Sequence, residues 1–497
     1  MFDVAIVGGG PVGMLLAAEL GLQGVRPLVL ERLAMPSGES KAGTLHARTA
    51  QSLDRRGLLD LVGRSSRGSV SFHFSGMFGL DLGAVVEEGA SIVGSPQAWA
   101  EQVFARQAAA LGAEIRRGQE VTGLVQDDER VVLTVNGREL AARYVVGADG
   151  ARSVVRRAAG IPFTGTQARV AALMGDVRLL DPYGVPPGYT RTPRGWIIVW
   201  LDPAGHSRLI TYDFRAPHPD RQAPVTLAEL KEAAERILGR PVPMAEPRNL
   251  SRYGDAALQA ETYRAGRVLL AGDAAHVHFP WGGQGLNTGL EDAFNLGWKL
   301  AAQVHGHAPD GLLDTYHAER HPVGARVLWN VRAQTALADP DPSVDPLREL
   351  FAELMRFDDV NEYLSGMISG VHTAYDVGVP GAGRMAVDMV LKIPEGAGPP
   401  VRLVELLRAG RPLLLDLAGR DDLVAVAEGW ADRVDVVRAA ADHPAEALLI
   451  RPDGYVAWTS EAAGHPLRDA LVRWFGPSAQ NDSAPNDSAR NDSAQTR

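Results

Sequence analysis

Phe2–Val7 is a short, β-rich apolar run broken only by Asp3, and it ends in Gly8-Gly9-Gly10-Pro11-Val12-Gly13. A helix-like apolar segment follows from Met14 to Leu22, with Gly24 as its C-terminal stop. Pro27–Leu30 reads as a second strand closing on Glu31, so the first thirty residues predict a βαβ unit. Ala98–Leu111 predicts a helix, and short strands are expected at Glu114–Arg117, Val121–Gln126, Arg130–Val135 and Tyr144–Val146. Longer antiparallel strands are expected at Val170–Arg178, Tyr189–Leu201 and Ser207–Phe214, with a helix at Leu227–Leu238. The apolar run Val268–Ala271 then ends in Gly272-Asp273. A glycine-dense turn, Pro280 to Gly289, opens a helix with Leu290, Phe294, Gly297 and Ala301 on one face. Helices continue to about residue 370.

The Gly/Pro-rich stretch Val379–Pro400 marks a boundary. Beyond it, Leu413–Leu417, Val434–Val437, Ala447–Ile450 and Val456–Trp458 predict the strands of a small α/β domain. The pattern therefore divides the chain into a discontinuous first domain (1–167 with 261–378), an inserted middle domain (168–260), a C-terminal domain (379–476) and a tail (477–497). The tail repeats Asn-Asp-Ser-Ala and is expected to be disordered, since it carries too little apolar surface to offset chain entropy.

A chain of 497 residues is long for a single core, which agrees with this division. It has no cysteine, which excludes disulfides, thiolate metal sites and a redox dithiol. Any redox chemistry must come from a bound cofactor. A net charge of −10 argues against a general nucleic-acid binder. The apolar run Trp196–Leu201 is far too short for a membrane span. No charged, then apolar, leader precedes the first strand, so the expected location is cytoplasmic.

Gly8-x-Gly10-x-x-Gly13, between a strand and a helix and followed by Glu31, is the pattern that lets backbone approach a pyrophosphate while a carboxylate holds ribose hydroxyls. It does not separate FAD from NAD. Asp273 can accept hydrogen bonds from a polyol, and the helix start after Pro280 offers N–H groups to an electron-rich ring edge. Gly147-Ala148-Asp149-Gly150, before Ser153, reads on its own as a turn capping a helix.

In this order the three segments resemble the class A flavoprotein monooxygenases of the para-hydroxybenzoate hydroxylase type, over roughly residues 2–378. Within that family the chain is most similar to polyketide hydroxylases and rifampicin monooxygenases, whose extra thioredoxin-like domain residues 395–476 would match. The resemblance implies an α/β fold: a Rossmann-like FAD-binding domain, an inserted antiparallel-sheet substrate domain and a C-terminal thioredoxin-like domain. It assigns the FAD pyrophosphate to Gly8, Gly10, Pro11, Val12 and Gly13, and the adenosine ribose to Glu31 and Arg32. Further FAD contacts fall to Arg48 of His46-Ala47-Arg48-Thr49 and to Gln97. Asp149 is linked to FAD and NADPH, and Gly272-Asp273 to the ribityl chain. Pro280, Gly283, Gly285, Leu286 and Asn287 would border the reactive flavin edge, with backbone donors from Gly283 to Asn287.

The resemblance also implies an NAD(P)H- and O₂-dependent hydroxylation of a large aromatic, polyketide-type substrate through a flavin C4a-hydroperoxide. The hard chemistry belongs to the cofactor, and no side-chain base is assigned. Phe74, Trp200, Tyr212, Phe279 and Trp281 are candidate substrate contacts, each with core packing as the competing reading. Trp281 stands where the family has a smaller residue. His276 and His278 alternate with apolar positions but lack a third ligand at motif spacing, so no metal is expected. The rival readings are Baeyer–Villiger oxygenation, inactivation of a rifampicin-type antibiotic, and a flavin-containing protein that only sequesters an aromatic ligand. The expected assembly is a monomer or homodimer, without nucleic acid or membrane.

Overall fold

The computed structural model describes residues 1–67, 71–215, 223–394 and 399–479. Nearly all of the Asn-Asp-Ser-Ala tail lies outside the described residues. Among the described residues no helix is long and apolar enough to cross a membrane. The chain divides into two compact units. The first comprises Met1–Leu53, Leu58–Gly297 and Tyr316–Thr373, and the second Asp54–Gly57, Trp298–Thr315 and the chain from Ala374 on.

The first unit is built on a parallel core. Phe2–Val7 pairs in parallel with Leu28–Glu31 on one side and with Arg138–Gly147 on the other, and Arg138–Gly147 pairs in parallel with Val268–Leu270. Val4, Ala5, Ile6, Val145, Val146, Val268 and Leu269 are all fully buried, as strands covered on both faces must be. The register puts Val7 beside Gly147 and Gly147 beside Leu270. Three loops that are far apart in sequence thus leave the same edge of one sheet, at the carboxyl ends of its strands, where open α/β sheets bind ligands.

Glycine is needed where these loops meet. Gly8 has φ of +110°, and a Cβ there would lie 2.3 Å from the carbonyl oxygen of Ala148. No other residue could let the first loop pass the Asp149 loop so closely.

The middle of the chain forms an antiparallel sheet in the order Gly188–Thr192, Gly195–Trp200, Ser207–Asp213, Ala171–Leu179, Met244–Gly254. Its period-2 pattern gives it two apolar faces. Leu173, Val177, Ile197 and Leu209 pack under the helix Leu227–Leu238, which Thr226 caps at its start and left-handed Gly239 at its end. Met174, Trp196, Ile198, Ile210 and Tyr212 point the other way, toward Phe279 and Trp281.

Two elements of this sheet differ most from the sequence reading. Tyr189–Leu201 is a hairpin and not one strand, because Pro193-Arg194 turns the chain. Met244–Gly254 is a strand of eleven residues that carries almost no apolar alternation. It pairs along Ala171–Leu179 with two register shifts, so the ladder and not its own side chains holds it in place.

In the second unit Leu413–Asp416 runs parallel to Asp435–Arg438 and antiparallel to Ala447–Ile450, which pairs in turn with Val456–Thr459. A helix, Asp421–Ala427, links the parallel pair, and Leu467–Phe475 follows the last strand. That strand order is the one expected of a thioredoxin-like core. Arg451 and Asp453 are buried together, and the guanidinium sits 4.6 Å from the centre of the Trp474 ring.

Candidate cofactor and substrate site

The first helix, Pro11–Leu22, starts at Gly10 with no side chain capping its N-terminus. Its opening N–H groups are therefore left for an anionic ligand. A Cβ built on Gly10 meets nothing within 4 Å, so the chain leaves room beside that helix end. Pro11 and Gly13 are buried and Val12 is half-buried. Glu31 stands at the end of the neighbouring strand, accepting from the N–H of Gly9 at 2.7 Å and of Leu33 at 2.8 Å. Arg32 beside it is exposed.

The Asp149 carboxylate accepts from the N–H groups of Val154 (2.6 Å) and Val155 (3.2 Å), and Ser153 accepts from that of Arg156. The second Asp149 oxygen is buried without a partner among the described residues. Arg156 carries this loop to the next: its guanidinium donates to the carbonyl of Ala274 at 2.9 Å and lies 3.7 Å from the Phe163 ring centre.

Gly272-Asp273 is held from below by Asp292, a residue the sequence pattern did not single out. The fully buried Asp292 carboxylate accepts from the Gly272 N–H (3.0 Å), His276 Nε2 (2.8 Å) and Arg320 Nε (2.8 Å). Arg320 also donates to the Thr288 carbonyl at 3.0 Å. Burial works against ionisation of Asp292, but Arg320 and His276 outweigh it and hold its pKa below the usual carboxylate value. His276, expected to pack or hydrogen-bond, is a member of this network. Asp273 itself is exposed.

The turn after Pro280 is a 3₁₀ turn with Gly282 at φ +77° and Gly283 at φ +65°, two successive left-handed residues. Gly283 donates its N–H to the Pro280 carbonyl at 3.1 Å. The Gly283 N–H, expected among the free backbone donors, is thus taken by the turn, and Gly285 and Leu286 lie in the first turn of Gln284–His305, where N–H groups have no partner within the helix. Asn287 is buried and acts through its side chain, accepting from the His46 N–H at 2.8 Å and donating to the Gly283 carbonyl at 3.0 Å.

His46 appeared in the sequence only as part of the segment around Arg48. It is buried, with Nε2 2.8 Å from the Gly282 carbonyl. Because a carbonyl only accepts, Nε2 carries the proton and Nδ1 is left bare and without a partner. Burial lowers its pKa to about 4, despite the opposing Gly282 and Gly283 contacts. Arg48 donates to the carbonyls of Gly370 and Val371, just past the helix Asp358–Ser369. Gln97 is half-buried and accepts from the Ala42 N–H at 3.3 Å.

The five candidate substrate contacts separate. Phe74 is buried and stacks on Phe351 at 4.9 Å. Tyr212, Phe279 and Trp281 are buried in one aromatic cluster, with Tyr212 5.5 Å from Trp281 and 4.7 Å from Phe279. Trp196 meets Trp281 edge-on at 5.6 Å. Trp200 lies at the surface. Two further residues missed in the sequence, His73 and Tyr189, close this cluster: His73 Nε2 lies 2.9 Å from the Tyr189 hydroxyl.

Comparison with known proteins agrees with this geometry. Residues 1–331 match the family model of the FAD binding domain, and residues 379–478 that of the aromatic-ring hydroxylase C-terminal domain. A rifampicin monooxygenase of Streptomyces venezuelae is 44% identical over 488 residues, covering 96% of this chain and 99% of that one. A 12-dehydrotetracycline 5-monooxygenase/anhydrotetracycline 6-monooxygenase of Streptomyces rimosus is 42% identical over 504 residues, with 96% and 99% covered. The crystal structure of an aromatic hydroxylase from angucycline biosynthesis superposes with a TM-score of 0.90 at 41% identity, covering 96% of this chain and 99% of that one.

Two carboxylates make opposite predictions. Asp273→Ala should weaken FAD binding at least about tenfold, the loss of one charge-assisted hydrogen bond, and leave the melting temperature of the flavin-free protein unchanged. Asp292→Ala should destabilise the flavin-free protein by about 3–5 kcal/mol in urea unfolding, because the buried Arg320 guanidinium loses its carboxylate counter-charge. Acid provides a separate check. His46 and His73 are both held at about 4, below the 6.5 of an exposed histidine, mainly by burial. Between those values the unfolded chain binds protons that the folded chain does not. Stability should therefore fall as pH drops from about 6.5 toward 4, by up to about 1.4 kcal/mol per pH unit for each histidine. His46→Gln should flatten that slope in melts recorded across the range.

Proposed function

The chain belongs to the FAD-dependent aromatic hydroxylases, and on that premise we propose that it uses NAD(P)H and O₂ to hydroxylate a large, polycyclic aromatic substrate of the polyketide type. The observation that carries the reading is the gathering of the Gly8, Asp149 and Asp273 loops at one sheet edge, next to an aromatic-lined wall. Bound FAD supplies hydride acceptance and oxygen activation. Everything else falls to this chain's own groups.

The residues suit that cofactor. The uncapped helix at Gly10–Gly13 would take the pyrophosphate, Glu31 the adenosine ribose and Asp273 the ribityl hydroxyls. The opening turn of Gln284–His305, at Gly285 and Leu286, would present N–H groups to the ring edge where negative charge builds up, a preorganised electrostatic role. Asn287 and His46 stiffen that turn through the Gly283 and Gly282 carbonyls. The cluster around Trp281 keeps water from one side of the site. The rifampicin monooxygenase relative supports a second reading, in which the aromatic substrate is an ansamycin antibiotic.

A screen of the FAD-loaded protein against anhydrotetracycline, an angucyclinone and rifampicin separates these readings. NADPH oxidation stimulated by one of the first two, with one atom from ¹⁸O₂ in the product and its ring skeleton intact, is the expected result. Stimulation by rifampicin alone moves the assignment to the second reading, and ring expansion by one oxygen moves it to Baeyer–Villiger chemistry. Tight binding of a compound without NADPH oxidation leaves only sequestration.

A further inference from the structure

Toward solvent, the aromatic cluster ends at Tyr189. This residue lies on Gly188–Thr192, the edge strand of the middle sheet, and is half-buried. Its ring is nearly parallel to that of Trp281 at 6.5 Å and meets Phe78 edge-on at 5.5 Å and Trp200 edge-on at 6.5 Å. Phe78 and Trp200 are 57% and 51% exposed, large for apolar rings flanking a phenol. Isolated exposed rings need no explanation, but two that meet the ring of one half-buried tyrosine do.

The direction of the hydrogen bond at that hydroxyl can be worked out. The Gly76 N–H donates to His73 Nδ1 at 3.2 Å, so Nδ1 is bare. Burial lowers the His73 pKa to about 4, with His46 adding to the effect, so the ring is neutral and its single proton is on Nε2. Nε2 therefore donates to the Tyr189 oxygen at 2.9 Å. The phenolic hydrogen of Tyr189 must then be given elsewhere, and among the described residues no acceptor takes it. Burial pushes the Tyr189 pKa up to about 12, so the group remains a donor.

The geometry points to Tyr189 as a substrate-binding donor, its O–H meeting a carbonyl oxygen of a planar polycyclic ligand seated against Phe78 and Trp200, with His73 as the positioning residue. The inference rests on the proposed function only in taking the ligand to be aromatic. A quinone or aryl ketone fits, since it offers an acceptor in the plane of its rings. A hydrocarbon of the same shape would leave the O–H unpaired, the situation in which hydrogen-bonding sites discriminate most strongly.

The test uses two soluble tricyclic probes of matched shape, anthraquinone-2-sulfonate and anthracene-2-sulfonate, titrated into the FAD-loaded full chain with calorimetry. The wild type should bind the quinone about tenfold more tightly. Tyr189→Phe should erase that preference while anthracene-2-sulfonate affinity and FAD content hold. His73→Leu should reduce the preference, and His73→Gln, which still donates, should restore it. Infrared difference spectra should show the bound quinone C=O stretch lowered in the wild type and relaxed in Tyr189→Phe, a change that a merely structural tyrosine would not produce. Equal binding of both probes by the wild type, a preference unchanged in Tyr189→Phe, or no binding of either probe overturns the assignment. Equal binding together with hydroxylation of a polycyclic phenol overturns it while the proposed function stands. Discrimination between the probes without hydroxylation of any substrate does the reverse.

Discussion

The Asp292 carboxylate is the constraint on which the rest of the site depends. A carboxylate with no exposed surface loses its hydration entirely, and only multiple strong contacts make that tolerable. Asp292 has three, and each comes from a different element. Gly272 lies at the end of a sheet strand, His276 comes just after the Gly-Asp turn, and Arg320 belongs to the helix Asp314–Leu337. Asp292 itself is in the long helix that the Pro280 turn opens, Gln284–His305. The turn that aims Asp273 and the helix start that offers backbone donors are thereby fixed to one another by a single buried anion. Removing the charge would not empty a ligand pocket; it would loosen two of its walls at once.

A second constraint acts from the opposite side. The inner face of the middle sheet presents Met174, Trp196, Ile198 and Tyr212 at alternate positions, and the Phe279–Trp281 segment packs on it. Aromatic rings bury much area with few rotatable bonds, so such a cluster fixes a loop that has no regular structure of its own. Trp281 is thus tied to the middle sheet while the next two residues, Gly282 and Gly283, make the left-handed turn into the helix. The polar network and the aromatic cluster meet across three residues. That explains why the glycines are needed there: the chain has to reverse between two rigid supports.

Much of the fold was legible in the sequence, because its parallel strands are continuous apolar runs closed by glycine or acid, as in Phe2–Val7 and Val268–Leu270. The helix Leu227–Leu238 and the strands Glu114–Arg117 and Val121–Gln126 fall where the pattern placed them. What escaped has a common cause. Met244–Gly254 has no pattern of its own, since its place comes from a partner strand. The Tyr189–Leu201 hairpin was hidden because both arms are apolar and only Pro193 signals the turn. At the site, glycine motifs were readable because they act through backbone. Asp292, His46, His73 and Tyr189 act through side chains whose partners are distant in sequence, from 16 residues for His276 and Asp292 to 236 for His46 and Gly282. Asp292 lies off the face that carries Leu290 and Phe294, so the apolar pattern gave no signal for it.

This contrast also explains why the class of chemistry is easier to read than the substrate. Dinucleotide-binding folds contact the cofactor largely through backbone groups at strand and helix ends, so they demand glycine at fixed spacings. The proposed substrate contacts lie on the face and edge of a sheet, where ordinary packing favours the same residue types. Trp281 and Tyr189 illustrate the difficulty: both are aromatic and belong to or border the same cluster, and the sequence reading singled out only Trp281. The structure ranks them by what surrounds each polar atom. Tyr189 has its oxygen anchored by a histidine of defined tautomer and its hydrogen left to give, whereas the Trp281 N–H is buried with no partner. A buried donor with no accessible surface can only stiffen the wall behind a ligand. One at a half-exposed edge, flanked by open aromatic rings, can choose among ligands.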